Sequence, residues 1–267
     1  MEPRVAGALN SGLDVLEALS SAAHPVGVSE LARLVDADKG NVHRLLAVLE
    51  SRGYVHRHEQ SKSYSLAAGV VQLAGALLRN MDIVSQARPL MRELVNLTGE
   101  SVHLAHKTPT GGVYIARERL ARRVTVETEI GAPVVVHATS TGKALYCRDT
   151  GEVLDQLLDA CGFEAFTDNT ITCRDDLVVE MKQTAQRGYA VDLEELSIGV
   201  RCVASPVVDI SGRIRASIGL SGPASRLDDE RLDRCAALVC DASNKLSAQL
   251  GGLWDFPSPP KPPGENA

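Results

Sequence analysis

Residues 29–66 read SELARLVDADKGNVHRLLAVLESRGYVHRHEQSKSYSL, and this stretch decides the architecture of the N-terminal region. Ser29 is a good helix N-cap, and a first short helix from there turns Leu31, Leu34 and Val35 inward. The polar break Asp36-Ala37-Asp38 ends that helix, and Asp38 can cap the next one. The second helix places Val42, Leu45, Leu46 and Leu49 at i, i+3, i+4 and i+7, a stripe that faces a core. Its opposite face holds Gly40, Arg44, Ala47 and Ser51, with Asn41 and His43 on the flanks. The solvent face at the helix start is therefore small, amide-bearing and cationic, as a helix that enters the DNA major groove requires. Gly53 stops the helix. Residues 54–58 and 62–66 then alternate as two strands around Glu59-Gln60-Ser61, which makes a hairpin wing. The pattern is a winged helix-turn-helix. Its candidate DNA-contacting residues are Ser29, Lys39, Gly40, Asn41, His43, Arg44, Arg57 and Lys62. Asn41, His43 and Arg44 would read bases, while Lys39, Arg57 and Lys62 would contact phosphates.

Charge supports this local reading. The whole chain of 267 residues carries a formal net charge of −6, which argues against non-specific binding of nucleic acid by its entire surface. Residues 39–62, in contrast, hold Lys39, Arg44, Arg52, Arg57 and Lys62 against only Glu50 and Glu59, together with three of the seven histidines. The positive footprint is local, as a reader of specific DNA sites would have it. The six cysteines, at 147, 161, 173, 202, 235 and 240, form no CxxC pair and read as reduced, mostly buried thiols. Cys235 and Cys240, five apart on one helix, do not share a face and do not pair. The N-terminus lacks the apolar core of a signal peptide, and no stretch reaches the ~20 apolar residues of a membrane span. These features predict a soluble cytoplasmic protein with no membrane partner.

Outward from the winged module the pattern divides the chain. A helix over 9–22, with Leu9, Leu13, Leu16 and Leu19 on one side, completes a three-helix core, giving a DNA-binding domain over 5–66. Residues 67–81 form an almost wholly apolar linker helix, which must be buried on most sides. Burial against the same helix of a second subunit is one solution, and packing on its own effector domain is the other. Residues 82–252 form an α+β domain on a largely antiparallel sheet. Its helices are expected at 83–98, 140–148, 151–161, 174–187 and 227–250. Its strands are expected at 101–107, 112–119, 124–129, 189–193, 199–209 and 213–221, with a turn at Asp209-Ile210-Ser211-Gly212 between the last two. The Pro-rich tail, 253–267, is predicted to be disordered.

Two further segments, HATSTGKAL at 137–145 and GVRCVASPV at 199–207 with Ser221-Gly222-Pro223 downstream, resemble the signature blocks of the IclR family of bacterial transcriptional regulators. The resemblance spans about residues 9–250. It implies a GAF-like effector domain that binds a small, often carboxylate-bearing metabolite, and homodimers or homotetramers on palindromic double-stranded operator DNA. Carried over by position, it implies an effector pocket of Ser140, Thr141, Asp192, Cys202, Ser217, Gly219 and Ser221, with Val124, Val126 and Thr128 as wall. The family position at Gly219 is often Ser, so the glycine is expected to leave room for a bulkier ligand.

Enzymatic readings fail on the residues. Ser140-Thr141-Gly142-Lys143-Ala144 lacks the first glycine and the Mg²⁺-holding hydroxyl of a phosphate loop, and neither GxSxG nor HExxH occurs. No cofactor is implied. Cys202, alone in a strand, reads as packing rather than nucleophile. His103 and His106 point to opposite faces of their strand. A metal site from Asp192, Cys202 and one histidine remains as a metal-dependent sensor in the same pocket, and a DNA-binding module without effector is the other alternative. Glu194 and Glu195 read as a solvated acidic run.

Overall fold

The computed structural model describes residues 4–73, 82–109, 111–120 and 128–253, which fall into two compact units, Met1–Met81 and Asp82–Ala267. In the first, α1 (Arg4–Ser20), α2 (Val28–Leu34) and α3 (Lys39–Ser51) pack with a three-stranded antiparallel sheet of order β1-β3-β2. Its strands are β1 (Val26–Gly27), β2 (Val55–His58) and β3 (Ser63–Leu66). Val15, Leu19, Val26, Leu31, Val42, Leu46, Val55 and Tyr64 form the core. Asp38 caps α3, its carboxylate accepting from the Asn41 amide at 2.8 Å.

Two local expectations are corrected. The strand β1 runs straight into α2, so Gly27 is the N-cap and Ser29 is an exposed second residue of the helix rather than its cap. Leu34 and α1 residues Leu9 and Leu13 are largely exposed, and Val15 replaces the latter two in the core. Residues 68–73 are helical, as the linker reading expects, whereas 74–81 and the tail 254–267 lie outside the described residues.

The second unit is built on a five-stranded, fully antiparallel sheet of order β5-β4-β8-β7-β6. The strands are β4 (Ser101–Thr108), β5 (Gly111–Glu118), β6 (Ala190–Leu193), β7 (Val200–Val208) and β8 (Ile214–Pro223). One face buries Val102, Leu104, Val203, Val207, Ile218 and Leu220 beneath α4 (Asp82–Thr98) and α8 (Asp229–Gln249). The other carries α5 (Ser140–Tyr146), beyond which α6 (Gly151–Ala160) and α7 (Arg174–Arg187) add Leu157, Leu158, Leu177 and Met181 to a second apolar layer. The floor under α5 is made of small residues: Ala190, Ala204 and Gly219 lie side by side across β6, β7 and β8, and Ala144 packs onto the alanines. The turn between β7 and β8 forms as expected, with the Asp209 carboxylate accepting from the Ser211 amide and Gly212 at φ +73°. Of the strand expected at 124–129, residues 124–127 lie outside the described residues, and Thr128 and Glu129 are not in a strand. Among the described residues, no helix is long and apolar enough to cross a membrane.

Candidate functional site: a winged DNA-binding surface and a buried polar cavity

In the first unit, the start of α3 presents Lys39, Gly40, His43 and Arg44 to solvent, with Asn41 half-buried where its amide is held by Asp38. The wing follows α3 directly, with Arg57 paired to Tyr64 and His58 paired to Ser63 across the hairpin. His58 Nε2 and Ser65 Oγ, 3.0 Å apart, tie the two strands together on one face. Lys62 lies at the hairpin turn with φ +50°, its amide donating to the His58 carbonyl at 2.8 Å, and its side chain is exposed. The expected base-reading and phosphate-contacting residues thus share one module, while Ser29 lies on the exposed side of α2.

In the second unit, a cavity of about 150 Å³ lies between the sheet and the start of α5. Ser140, Thr141, Asp192, Cys202, Gly219 and Ser221 all line it, together with Thr128. Antiparallel register explains the convergence. Ser221, Cys202 and Asp192 are direct cross-strand neighbours on β8, β7 and β6, so one row of polar side chains crosses the cavity floor. Thr139 caps α5 by accepting from the Gly142 amide at 3.0 Å, and this brings the Ser140 and Thr141 first turn over that row.

Two of the expected pocket residues, Ser217 and Gly219, behave differently. Val126 lies outside the described residues, as does Val124. Ser217 sits beneath the cavity wall, where its hydroxyl donates to the Thr141 carbonyl at 3.0 Å and holds α5 on the sheet. Gly219 does line the cavity, but it does not simply open space for a larger ligand. A Cβ there would stand 2.6 Å from the Ala204 Cβ and 2.8 Å from the Val203 carbonyl, so the glycine is demanded by the close approach of β7 and β8.

The sequence reading also missed parts of the site. His103 and Tyr114 line the cavity from β4 and β5, Leu196 and Ser197 from the loop after β6, and Val200 from the first position of β7. The Tyr114 hydroxyl and Thr141 Oγ1 are 2.8 Å apart, and burial pushes the phenol up to about 12. Burial, reinforced by the nearby Arg117 charge, lowers the His103 imidazole to about 4 and keeps it neutral. The Glu194-Glu195 run is not a solvated loop. Glu195 is buried and accepts both oxygens' worth of hydrogen bonds from the equally buried Lys143 ammonium, at 2.7 and 2.8 Å. Its amide in turn donates to Asp192 at 2.7 Å, and its carbonyl accepts from Thr170 at 2.6 Å. Burial pushes the Asp192 carboxyl up, against the pull of the Glu195 amide and the Lys143 charge. Burial and the Asp192 charge likewise raise the Cys202 thiol, so it stays protonated beside that carboxylate. A thiol held this way is no nucleophile. Among the described residues, no three His, Cys, Asp or Glu side chains are grouped as metal ligands.

The chain matches two family models, the IclR helix-turn-helix domain over residues 8–59 and the bacterial transcriptional regulator IclR C-terminal domain over residues 75–248. It is 34% identical over 244 residues to the HTH-type transcriptional regulator KdgR of Escherichia coli K12, covering 91% of this chain and 92% of that protein. It is 31% identical over 246 residues to the HTH-type transcriptional repressor AllR of the same organism, covering 92% and 91%. The crystal structure of the Thermotoga maritima IclR superposes with a TM-score of 0.68 at 28% identity, over 92% of this chain and 99% of that one. Both named relatives are HTH-type transcriptional regulators. With the winged module, the antiparallel C-terminal sheet and both signature blocks in one chain, this protein belongs to the IclR family of transcriptional regulators.

Proposed function

We propose that this protein is a ligand-responsive repressor that works in the cytoplasm. In this reading it binds palindromic operator DNA as a dimer or dimer of dimers and is switched by a small, carboxylate-bearing metabolite. The observation that carries the effector reading is the enclosed cavity lined by Ser140, Thr141, Asp192, Cys202 and Ser221. Hydroxyls, a carboxyl and a thiol converging on one hollow beside Leu196, Val200 and Leu220 are the few placed polar groups by which a binding site orients a small ligand. The repressor assignment follows the name of the relative AllR. A cavity of this size suits a molecule no larger than benzene. The ligand carboxylate would meet the Ser140-Thr141 turn, whose first amides have no partner within the helix. Asp192, across the floor, would accept from a donor on the ligand or bind in its protonated form.

The test is operator selection from random DNA, followed by titration of the complex with a panel of short oxo and hydroxy acids. Ligand-free operator binding that some acid weakens is the expected result. Operator binding that no acid alters, with no acid raising the melting temperature, would favour an effector-independent DNA-binding module. A ligand at 100 times its Kd adds about 2.7 kcal/mol of stability, so a thermal scan suffices.

For the DNA surface, Arg44→Ala is expected to cost about 1–3 kcal/mol of operator affinity and to relax specificity at one base position. Lys62→Gly removes a charge at a left-handed backbone position that glycine adopts without strain. It should weaken all sequences alike and flatten the salt dependence by about one unit of slope. Retention of wild-type operator binding by Arg44→Ala would show that α3 does not read the groove.

The dimer reading rests on an apolar groove of the first unit lined by Leu9, Leu13, Leu16, Val48, Val70 and Leu73, of which Leu9 is 66% and Leu73 61% exposed. Such a patch is uncommon on a monomer. Two heads joined there would address half-sites about one helical turn, or a multiple of it, apart. Leu73→Lys should lower the assembly state in sedimentation velocity, and an unchanged sedimentation coefficient would place the seam elsewhere. Leu77, a further apolar residue of the 67–81 linker, lies outside the described residues.

A further inference from the structure

His103 stands directly opposite Gly219 in the pairing of β4 with β8. The glycine presents no side chain, so the imidazole occupies the floor above it and reaches diagonally to Ser221, with Nε2 and Oγ 2.6 Å apart. Its ring meets Tyr114 edge-on, centroids 5.9 Å apart. This fixes the ring from the side away from Ser221. The other nitrogen, Nδ1, is buried and has no hydrogen-bond partner among the described residues.

These facts select a tautomer. A buried N–H without an acceptor costs about 1–3 kcal/mol, and orphaned N–H groups are rarer in proteins than under-used acceptors. The proton of the neutral ring therefore resides on Nε2, and Nδ1 is bare. Nε2–H then donates to Ser221 Oγ. With that lone pair engaged, the serine's own hydrogen is directed away from the ring and toward the cavity, and the chain of two bonds strengthens each.

We infer that His103 is a positioning residue for the effector, one that turns Ser221 into a fixed hydrogen-bond donor and so requires a ligand oxygen that accepts, not a donor-only group such as an ammonium, at the β4–β8 end of the cavity. The inference rests on the effector reading above and assigns polarity within that site. Asp192, two strands away on the same row, accepts, whereas Ser221 donates, so the two ends of the floor are of opposite hydrogen-bond character.

Pyruvate and alanine are a matched pair of probes, differing in an acceptor carbonyl against a donor-only ammonium at carbon 2. Calorimetric titration of the full-length protein should show the wild type preferring pyruvate about tenfold. His103→Leu and Ser221→Ala should each weaken pyruvate about tenfold and erase the preference. The double variant should be no worse than either single one, because both remove the same donor. His103→Gln, whose amide can also donate to Ser221, should restore part of the affinity. Independent losses that multiply in the double variant, or a preference that survives His103→Leu, would overturn the inference. Imidazole ¹⁵N shifts of the ligand-free protein provide a reading that needs no ligand: a protonated Nε2 and bare Nδ1 are expected, and the reverse tautomer overturns the inference. Wild-type protein that binds neither acid while keeping the expected tautomer would instead count against the carboxylate reading of the site.

Discussion

Replacing Lys143 by methionine is expected to lower folding stability by about 3–5 kcal/mol at neutral pH, the largest effect of any single change considered. The ammonium is only 1% exposed and meets both oxygens of a carboxylate that is itself buried. Removing one partner of such a pair leaves an uncompensated charge in a poor solvent for it. The deficit should depend on pH in a definite direction. Burial already raises Glu195 above its ordinary value near 4.5, and Lys143 opposes that rise. Without the lysine the folded-state value climbs further. The folded variant then binds more protons than the unfolded one between the two values, and its stability falls as pH rises through that window. Below the ordinary carboxylate value the charge penalty vanishes. Urea unfolding at pH 7.5 and pH 4.5 should therefore show the variant much closer to wild type in acid. A second variant, Lys143→Met with Glu195→Leu, removes both charges and should recover most of the loss. A deficit below about 1 kcal/mol for the single variant would mean that the pair behaves as a solvent-screened one.

Thr141→Leu should abolish the response to effector while operator binding without ligand stays intact. The threonine is buried at the cavity lining, its hydroxyl lies 2.8 Å from the Tyr114 hydroxyl, and its carbonyl is anchored by Ser217. A leucine keeps the carbonyl anchor but pushes a branched apolar group into about 150 Å³ of space and leaves the tyrosine without that partner. Overpacking of this kind costs about 1–3 kcal/mol of stability, so the protein should remain folded. Effector affinity should drop at least about 100-fold, since the ligand would have to displace a methyl-rich side chain from its own site. Thr141→Ser, which preserves the hydroxyl, is the control and should bind nearly as the wild type does. A titration in which Thr141→Leu still releases operator DNA at wild-type ligand concentrations would move the sensor out of this cavity.

How much of this could be read from the sequence depends on how local each cause is. The winged module was legible because the Asp38 cap, the Val42–Leu49 stripe and the hairpin around Glu59-Gln60-Ser61 are all short-range signals. The strand β1 was not, because two residues are too few to show alternation, and its pairing with β3 is what moves the helix start from Ser29 to Val28. In the second unit the alternation of Ser217, Gly219 and Ser221 placed them correctly on one face, but alternation says nothing about what lies above each one. Ser217 met the Thr141 carbonyl, and Gly219 met a neighbouring strand. Glu195 was misread because a pair of adjacent acids normally faces water. The cue available was Lys143, a cation inside an otherwise apolar and hydroxyl-rich block with no counter-ion nearby in sequence. The parity of His103 and His106 was correctly seen, whereas the inter-strand register that sets His103 over a glycine is a tertiary fact.

The close fit of β7 against β8 beneath α5 limits how ligand preference can diverge in this protein's lineage. Positions 190, 204 and 219 admit only the smallest side chains if the helix and strands are to keep their distance, so the floor is closed to most substitutions. Variation that changes ligand choice without loss of the fold has to enter beside that floor instead: the exchange of His103 on β4 or Tyr114 on the edge strand β5, of Leu196 or Ser197 on the loop after β6, and of Val200 at the start of β7. Paralogues that sense different metabolites with this same scaffold should therefore differ chiefly at those positions, with the floor itself drifting least.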